Sequence, residues 1–286
     1  MISEGELRRL AARWGVDPMV VDLDYSLGWF IAAFYEANAG LDQLYFKGGT
    51  CLRKCYFSGY RFSEDLDFTI TTQLVTSRLL DWVEQAASWA AESAAPDYAA
   101  SAPRVETVRD DYGSETYEIR VYYRGPLQWG GSPRAIRLDV TRDEQVLLAA
   151  EQRSIIHPYS DEPMLPRRSV TCYPLVEIMA EKIRAVSGQR RFAISRDLYD
   201  IHQLVQAGVS LGDVIPLLPA KFKARGVDIA LLSAQTLLGR RSDFEMDWDR
   251  RLSHLVRDGR SDDFEMVWTT NLETFQQIED ELTQTL

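Results

Sequence analysis

Apolar residues recur at helical spacing through Val20, Leu23, Leu27, Phe30, Ile31 and Phe34, the packed face of one long helix. Asp17-Pro18 just ahead reads as an N-cap followed by proline at the first helical position. Upstream, Ser3 to Glu6 reads as a capping box that opens a shorter helix. A brief apolar run, Leu44 to Phe46, leads into Gly48-Gly49-Thr50 and a helix-like segment from Cys51 to Phe57. A second apolar run alternates through Leu66, Phe68 and Ile70, as a strand does. An amphipathic helix is predicted over 75–92, with Leu79, Trp82, Ala86 and Trp89 near one side, then an Ala/Ser/Pro loop over 93–103.

Three further strands are predicted: a short one over 105–108, a well-alternating one over 115–123, and one over 136–140. Tyr117, Ile119, Val121 and Tyr123 share one face of the middle strand, and the loop Trp129-Gly130-Gly131-Ser132-Pro133 makes a hairpin with the last. After Tyr173-Pro174 the pattern turns helical: 175–187, 195–207, 211–222, 228–237 and two long C-terminal segments. Gly239 to Trp248 is echoed by Gly259 to Trp268, which reads as two helix starts, each with a Phe/Trp anchor for the core. The change of character places a domain boundary at about residue 170, with 1–170 mixed and 171–286 helical.

Composition alters this picture little. The chain has 286 residues, 45% hydrophobic and 26% charged, as in ordinary globular proteins. It shows neither a bilayer-length apolar run nor the basic start of a secretion signal, so the expected location is cytoplasmic. Three cysteines make no disulfide framework; Cys51, Cys55 and Cys172 read as small buried hydrophobes. His157, His202 and His254 are scattered and read as non-catalytic. The net charge of −11 argues against a general affinity for nucleic acid. Basic residues nevertheless gather in two windows, Lys47, Arg53, Lys54 and Arg61, then Lys182, Arg184, Arg190, Arg191 and Arg196.

The chemistry concentrates between Phe46 and Phe68. Asp65 and Asp67, two apart in a strand, project to one face. Adjacent carboxylates repel unless a cation lies between them, and a hard divalent ion, Mg²⁺ first, is the natural partner. Glycines before a helix let backbone N–H groups approach a phosphate. A phosphate cradle beside a carboxylate pair is the minimum equipment for phosphoryl or nucleotidyl transfer.

The runs Phe46-Lys47-Gly48-Gly49-Thr50-Cys51-Leu52-Arg53-Lys54 and Arg61-Phe62-Ser63-Glu64-Asp65-Leu66-Asp67-Phe68 resemble the first motif of the AbiEii/AbiGii-type (MenT-like) nucleotidyltransferase toxins, members of the DNA polymerase β-like superfamily. Lys182 followed by Arg190 or Arg191 resembles the family's second motif. Ser195-Arg196-Asp197-Leu198-Tyr199-Asp200 resembles its third, with Arg196 in place of lysine. Asp139 matches the position of a third carboxylate from a later strand, or is an ordinary strand aspartate paired with Arg137 or Arg120.

The resemblance implies an α+β fold: an N-terminal polymerase β-like mixed sheet with flanking helices, a helical C-terminal domain, and a cleft between. It implies a toxin with a separately encoded antitoxin, NTP as substrate, and Mg²⁺ on Asp65, Asp67 and Asp139. Lys47, Gly48, Gly49, Thr50, Ser63, Lys182 and Arg196 would hold the nucleotide. Asp65, Asp67, Lys182, Asp197 and Asp200 would carry the chemistry, one of the last two carboxylates taking a proton from the attacking hydroxyl. Several relatives extend the 3′ acceptor end of tRNA, so tRNA is the expected acceptor. A protein hydroxyl or small-molecule acceptor, a nucleotide-binding module without turnover, and an α/β protein with acidic surface pairs remain as alternatives.

Overall fold

A computed structural model describes residues 1–72, 75–109, 115–127, 132–142, 144–190, 192–257 and 262–285. The chain divides into two compact units. The first comprises Met1–Arg142, Ala150–Cys172 and Leu255–Asp258; the second comprises Asp143–Ala149, Tyr173–His254 and Gly259–Leu286. The predicted hairpin turn and the second copy of the C-terminal echo lie partly outside the described residues, at 128–131 and 259–261.

The first unit is α+β. Its helices are α1 (Glu4–Trp14), α2 (Pro18–Ala37), α3 (Gly48–Cys51) and α4 (Thr76–Ala91). Its strands are β1 (Leu44–Lys47), β2 (Asp65–Ile70), β3 (Asp97–Arg109), β4 (Glu115–Arg124), β5 (Arg134–Thr141), β6 (Glu151–Arg153) and β7 (Val170–Cys172). They form one mixed sheet in the order β3-β4-β5-β2-β1-β7-β6. Both N-caps are present, the Ser3 side chain accepting from the Glu6 N–H and Asp17 accepting from Met19 ahead of Pro18, but the Glu6 carboxylate accepts from Ser160 instead of closing the capping box. Leu27, Phe30, Ile31 and Phe34 of the α2 face are buried while Val20 and Leu23 at its start are half-buried, and the alternation of β4 puts Tyr117, Ile119, Val121 and Tyr123 inside.

Two expectations give way here, and two short strands were not foreseen. The Ala/Ser/Pro stretch is not a loop to residue 103; β3 starts at Asp97 and pairs with β4 through two register shifts. As an edge strand it tolerates Pro103, and buried Tyr98 anchors its irregular start. The short strands β6 and β7 carry too few residues to show a periodicity. The helix-like segment after the glycines begins earlier, at Gly48, and widens into a π turn over Leu52–Tyr56.

That π turn is tied into the core by ions. Arg53 Nε lies 2.5 Å from Asp24 Oδ1, and Lys54 Nζ lies 2.9 Å from Asp24 Oδ2. The Tyr159 hydroxyl donates to the same carboxylate at 2.7 Å. All four groups are buried. Burial alone would raise the Asp24 carboxyl, but Arg53 and Lys54 hold it far below the usual carboxylate range.

The second unit is helical: α5 (Leu175–Arg184), α6 (Ser195–Gln206), α7 (Leu211–Val214), α8 (Leu218–Ala224), α9 (Ala234–Leu238), α10 (Arg241–Asp247) and α11 (Phe264–Thr285). The single helix predicted over 211–222 is broken by a 3-10 turn, Ile215–Leu217, where Pro216 and Pro219 remove backbone donors. The prediction over 228–237 resolves into another 3-10 turn and α9. The first of the two long C-terminal helices is also shorter than expected, α10 passing into π and 3-10 turns. Phe244 packs on Trp268 and Trp248 on Phe264, so the echoed anchors meet one another. A buried ionic net holds α5: Lys221 Nζ sits 2.7 Å from Glu177 and 3.0 Å from Glu181, and Arg184 pairs with Glu144 at 2.7 Å. Glu177 also accepts from the Leu147 and Leu148 N–H groups. Among the described residues no single helix is long and apolar enough to cross a membrane.

Removing Asp24 strands two buried cations. Asp24→Ala is expected to cost about 3–5 kcal/mol of stability, measured by urea denaturation. Tyr159→Phe, which removes one neutral donor, is expected to cost about 1 kcal/mol.

Candidate active site

Two strands set the geometry of the acidic group. β2 and β5 run parallel in a register that puts Asp65 opposite Arg137 and Asp67 opposite Asp139. Residues two apart share a strand face, so all four side chains project together. β1 flanks β2 on its other side, with Lys47 opposite Asp67. Arg137 binds the Asp65 carboxylate at 2.8 Å and Asp139 at 3.4 Å. The alternative partner for Asp139, Arg120, pairs with Glu118 instead.

One arginine does not offset three carboxylates. Burial, then the charge of Asp67, pushes the Asp139 carboxyl up to about 7, Arg137 opposing and Asp65 adding to the rise. This strain is what a hard divalent ion relieves, and the all-oxygen donor set of Asp65, Asp67 and Asp139 suits one. The three carboxylates do not form a tight set as they stand. Among the described residues, the one triplet of candidate ligands whose atoms all lie within 4.8 Å is Cys51, Cys55 and Cys172. The Arg137 guanidinium, bonded to Asp65 and Asp139, stands within the acidic group.

The glycine pair lies directly beside these carboxylates. Gly48 has φ +77°, and a Cβ placed there would fall 2.1 Å from Asp67 Oδ2. At Gly49 a Cβ would meet the Arg61 guanidinium at 2.5 Å and Ser63 Oγ at 3.2 Å. Only glycine permits both approaches. The Thr50 hydroxyl donates to the Asp65 carbonyl, tying the start of α3 to the start of β2. Ser63 and Lys47 are buried next to the loop.

In the second unit α5 and α6 bring the other motif residues together. Lys182 Nζ lies 2.5 Å from Asp197 Oδ1 and 2.9 Å from Asp200 Oδ2. Arg190 reaches Asp197 Oδ2 at 2.9 Å. The i, i+3 spacing on α6 turns both carboxylates toward one lysine. Burial would raise Asp197, but Arg190 and Lys182 hold it below its ordinary value. Arg196 is half-buried in the first turn of α6, and Arg191 lies outside the described residues. Ser195 is not the N-cap: it is the first helical residue, and its hydroxyl donates to the Phe244 carbonyl.

The basic windows behave differently from their sequence reading. Lys47, Arg53, Lys54 and Arg61 are all buried. Arg53 and Lys54 serve Asp24, and Arg61 donates to the Phe62 carbonyl. Arg184 is spent on Glu144. The charge of the first window is therefore internal, whereas Arg190 of the second is exposed. His157 is buried and bonded to Asp161, and His202 is buried with Nδ1 2.9 Å from the Thr270 hydroxyl.

Two consequences are measurable. Asp139 holds its proton to about pH 7 in the folded chain but to about 3.8 when unfolded. Between those values the folded state binds more protons, so its contribution to stability falls as pH rises. Asp139→Asn is expected to flatten the pH dependence of the unfolding free energy between pH 4 and pH 7 and to raise stability at pH 7 relative to the parent chain, checked by denaturant titrations across that range. Gly48→Ala forces a side chain into a left-handed backbone, costing about 1–2 kcal/mol, and displaces Asp67. Divalent-ion affinity, read by calorimetry, is expected to drop with it.

The nucleotidyl transferase AbiEii toxin family of type IV TA systems matches residues 29–270. No curated protein matches. Similar solved structures include MenT4, a nucleotidyltransferase toxin from Mycobacterium tuberculosis H37Rv, at 19% identity and a TM-score of 0.62 over 98% of this chain and 90% of that one. An antigenic nucleotidyltransferase-like protein from Paracoccidioides brasiliensis is a looser match, at 16% identity and a TM-score of 0.36 over 72% of this chain and 96% of that one. The likeness to MenT4 shows a shared fold. Because the matched region runs from α2 through the glycine loop, the acidic strands and the α5–α6 motifs into α11, the chain belongs to the AbiEii nucleotidyltransferase toxin family.

Proposed function

We propose that this toxin is a Mg²⁺-dependent nucleotidyltransferase that moves NMP from an NTP to the 3′ acceptor end of tRNA, blocking translation. The family implies an NTP substrate and an antitoxin partner. The observation that carries the catalytic reading is the register of Asp67 against Asp139 beside Gly48. Asp65, Asp67 and Asp139 would hold Mg²⁺, which when bound would supply charge neutralisation at the phosphates. Residues 1–170 form the nucleotidyltransferase domain in this reading and 171–286 the helical one.

The chain's own groups do the rest. The backbone N–H groups at Gly48, Gly49 and Thr50 cradle the triphosphate, the Thr50 hydroxyl being engaged with Asp65. Lys47 and Ser63 back the cradle. Lys182 and Arg196 meet the developing negative charge. Asp197 and Asp200 act by positioning: both are ion-paired to Lys182, which fits an orienting role better than that of a proton acceptor. The acceptor hydroxyl oxygen forms the new bond to the α-phosphorus as the bond to pyrophosphate breaks, and its proton leaves to solvent. Alignment and charge stabilisation supply most of the acceleration.

A second acceptor class is favoured by one observation. The basic residues of the first window are internal, so they offer no phosphate-binding surface for RNA. A protein hydroxyl or a small molecule needs none. The two are separated by incubating the purified toxin with total tRNA, a cell extract and each labelled NTP in turn. Label at the RNA 3′ end, absent with Asp67→Asn and without divalent ion, is the expected result. Label confined to protein or to a small product overturns the tRNA reading and leaves the transfer chemistry standing.

A further inference from the structure

The sequence reading of the three cysteines as separate small hydrophobes overlooks their arrangement. Cys51 closes α3, Cys55 lies in the following π turn, and Cys172 ends β7. The parallel pairing of β1 with β7 at Phe46 and Cys172 brings the last to the other two. All three are free thiols, with exposures of 0%, 3% and 0%. Their sulfurs lie within 4.8 Å of one another. A wide π turn and a strand end thus aim three thiols at one point.

We propose that Cys51, Cys55 and Cys172 form a three-sulfur site for a soft metal ion, Cu⁺ first. The donor set decides the ion. Thiolates select soft cations, whereas hard ions such as Mg²⁺ take oxygen. Structural zinc takes four ligands. Among the described residues no histidine or carboxylate joins the three sulfurs within the same distance. A three-coordinate soft ion matches what is present.

A cation would bind the three sulfurs as thiolates, displacing their protons. Arg153 donates to the Cys55 carbonyl at 3.2 Å, so its charge is fixed beside the cluster. β7 pairs with β6, the three-residue edge strand, whose Glu151 and Arg153 side chains are 43% and 38% exposed. The site is separate from the acidic group: it lies behind the glycine loop, on α3 and the π turn, and its ligand chemistry is the opposite one. A bound ion would brace α3, and with it Gly48 to Thr50, against β7.

The test uses the full-length reduced chain under anaerobic conditions, titrated with Cu⁺ held by a chromophoric copper(I) chelator. The expected result is transfer of one equivalent per chain, with a thiolate-to-copper absorption band and a higher thermal midpoint, since the ion binds the folded state. Cys172→Ala and Cys55→Ala, checked for folding by circular dichroism, are expected to lose the equivalent and the midpoint shift. Zn²⁺ in place of Cu⁺ is expected to bind more weakly. A folded parent chain that leaves all copper on the chelator overturns the site, without recourse to any variant. So does full retention in folded Cys172→Ala. A disulfide among the three in protein handled without reductant, together with no copper uptake after reduction, overturns it and marks the cluster as a redox pair with a spare thiol. None of these readouts depends on nucleotidyl transfer.

Discussion

Asp67 stands opposite Asp139 across a parallel pair of strands, with Asp65 beside them and one arginine for counter-charge. Three carboxylates on one face of a sheet are electrostatically unfavourable without a cation, and burial first, then the charge of Asp67, pushes Asp139 up to about 7. The neighbouring architecture keeps them there. Gly48 lets the backbone pass against Asp67 where any side chain would collide. Thr50 bonds to the Asp65 carbonyl, and Arg61 packs against Gly49. The loop and the acidic strand thus form one rigid piece, which is what a site for a triphosphate and a divalent ion requires.

Rigidity in both units comes from buried ions as much as from apolar packing. In the first, Asp24 gathers Arg53, Lys54 and Tyr159 and so holds the π turn that follows the glycine loop. In the second, Lys221 gathers Glu177 and Glu181, while Arg184 takes Glu144. Such nets add little net stability against an apolar core, but breaking one is costly because it leaves an unpaired buried charge. They also consume the cations whose clustering in sequence points to a nucleic-acid surface. Lys182, by contrast, is half-buried and ion-paired to both Asp197 and Asp200.

Local patterns determined a good deal by themselves. The alternation in β4 and β5, the caps at Ser3 and Asp17-Pro18, and the helical face of α2 are each set by neighbouring residues, so they were legible directly. So were the shared faces of Asp65 with Asp67 and of Asp197 with Asp200, because spacing within one strand or one helix dictates them. What lay beyond reach depends on partners distant in sequence. The register that pairs Asp67 with Asp139, the 13-residue β3 hidden in an Ala/Ser/Pro stretch, and the tiny strands β6 and β7 exist only through pairing across the sheet. The same holds for the burial of Arg53, Lys54 and Arg61 and for the meeting of Cys172 with Cys51 and Cys55. A side chain's type and spacing follow from the chain itself, but its counter-ion and exposure are decided by which other segment folds against it.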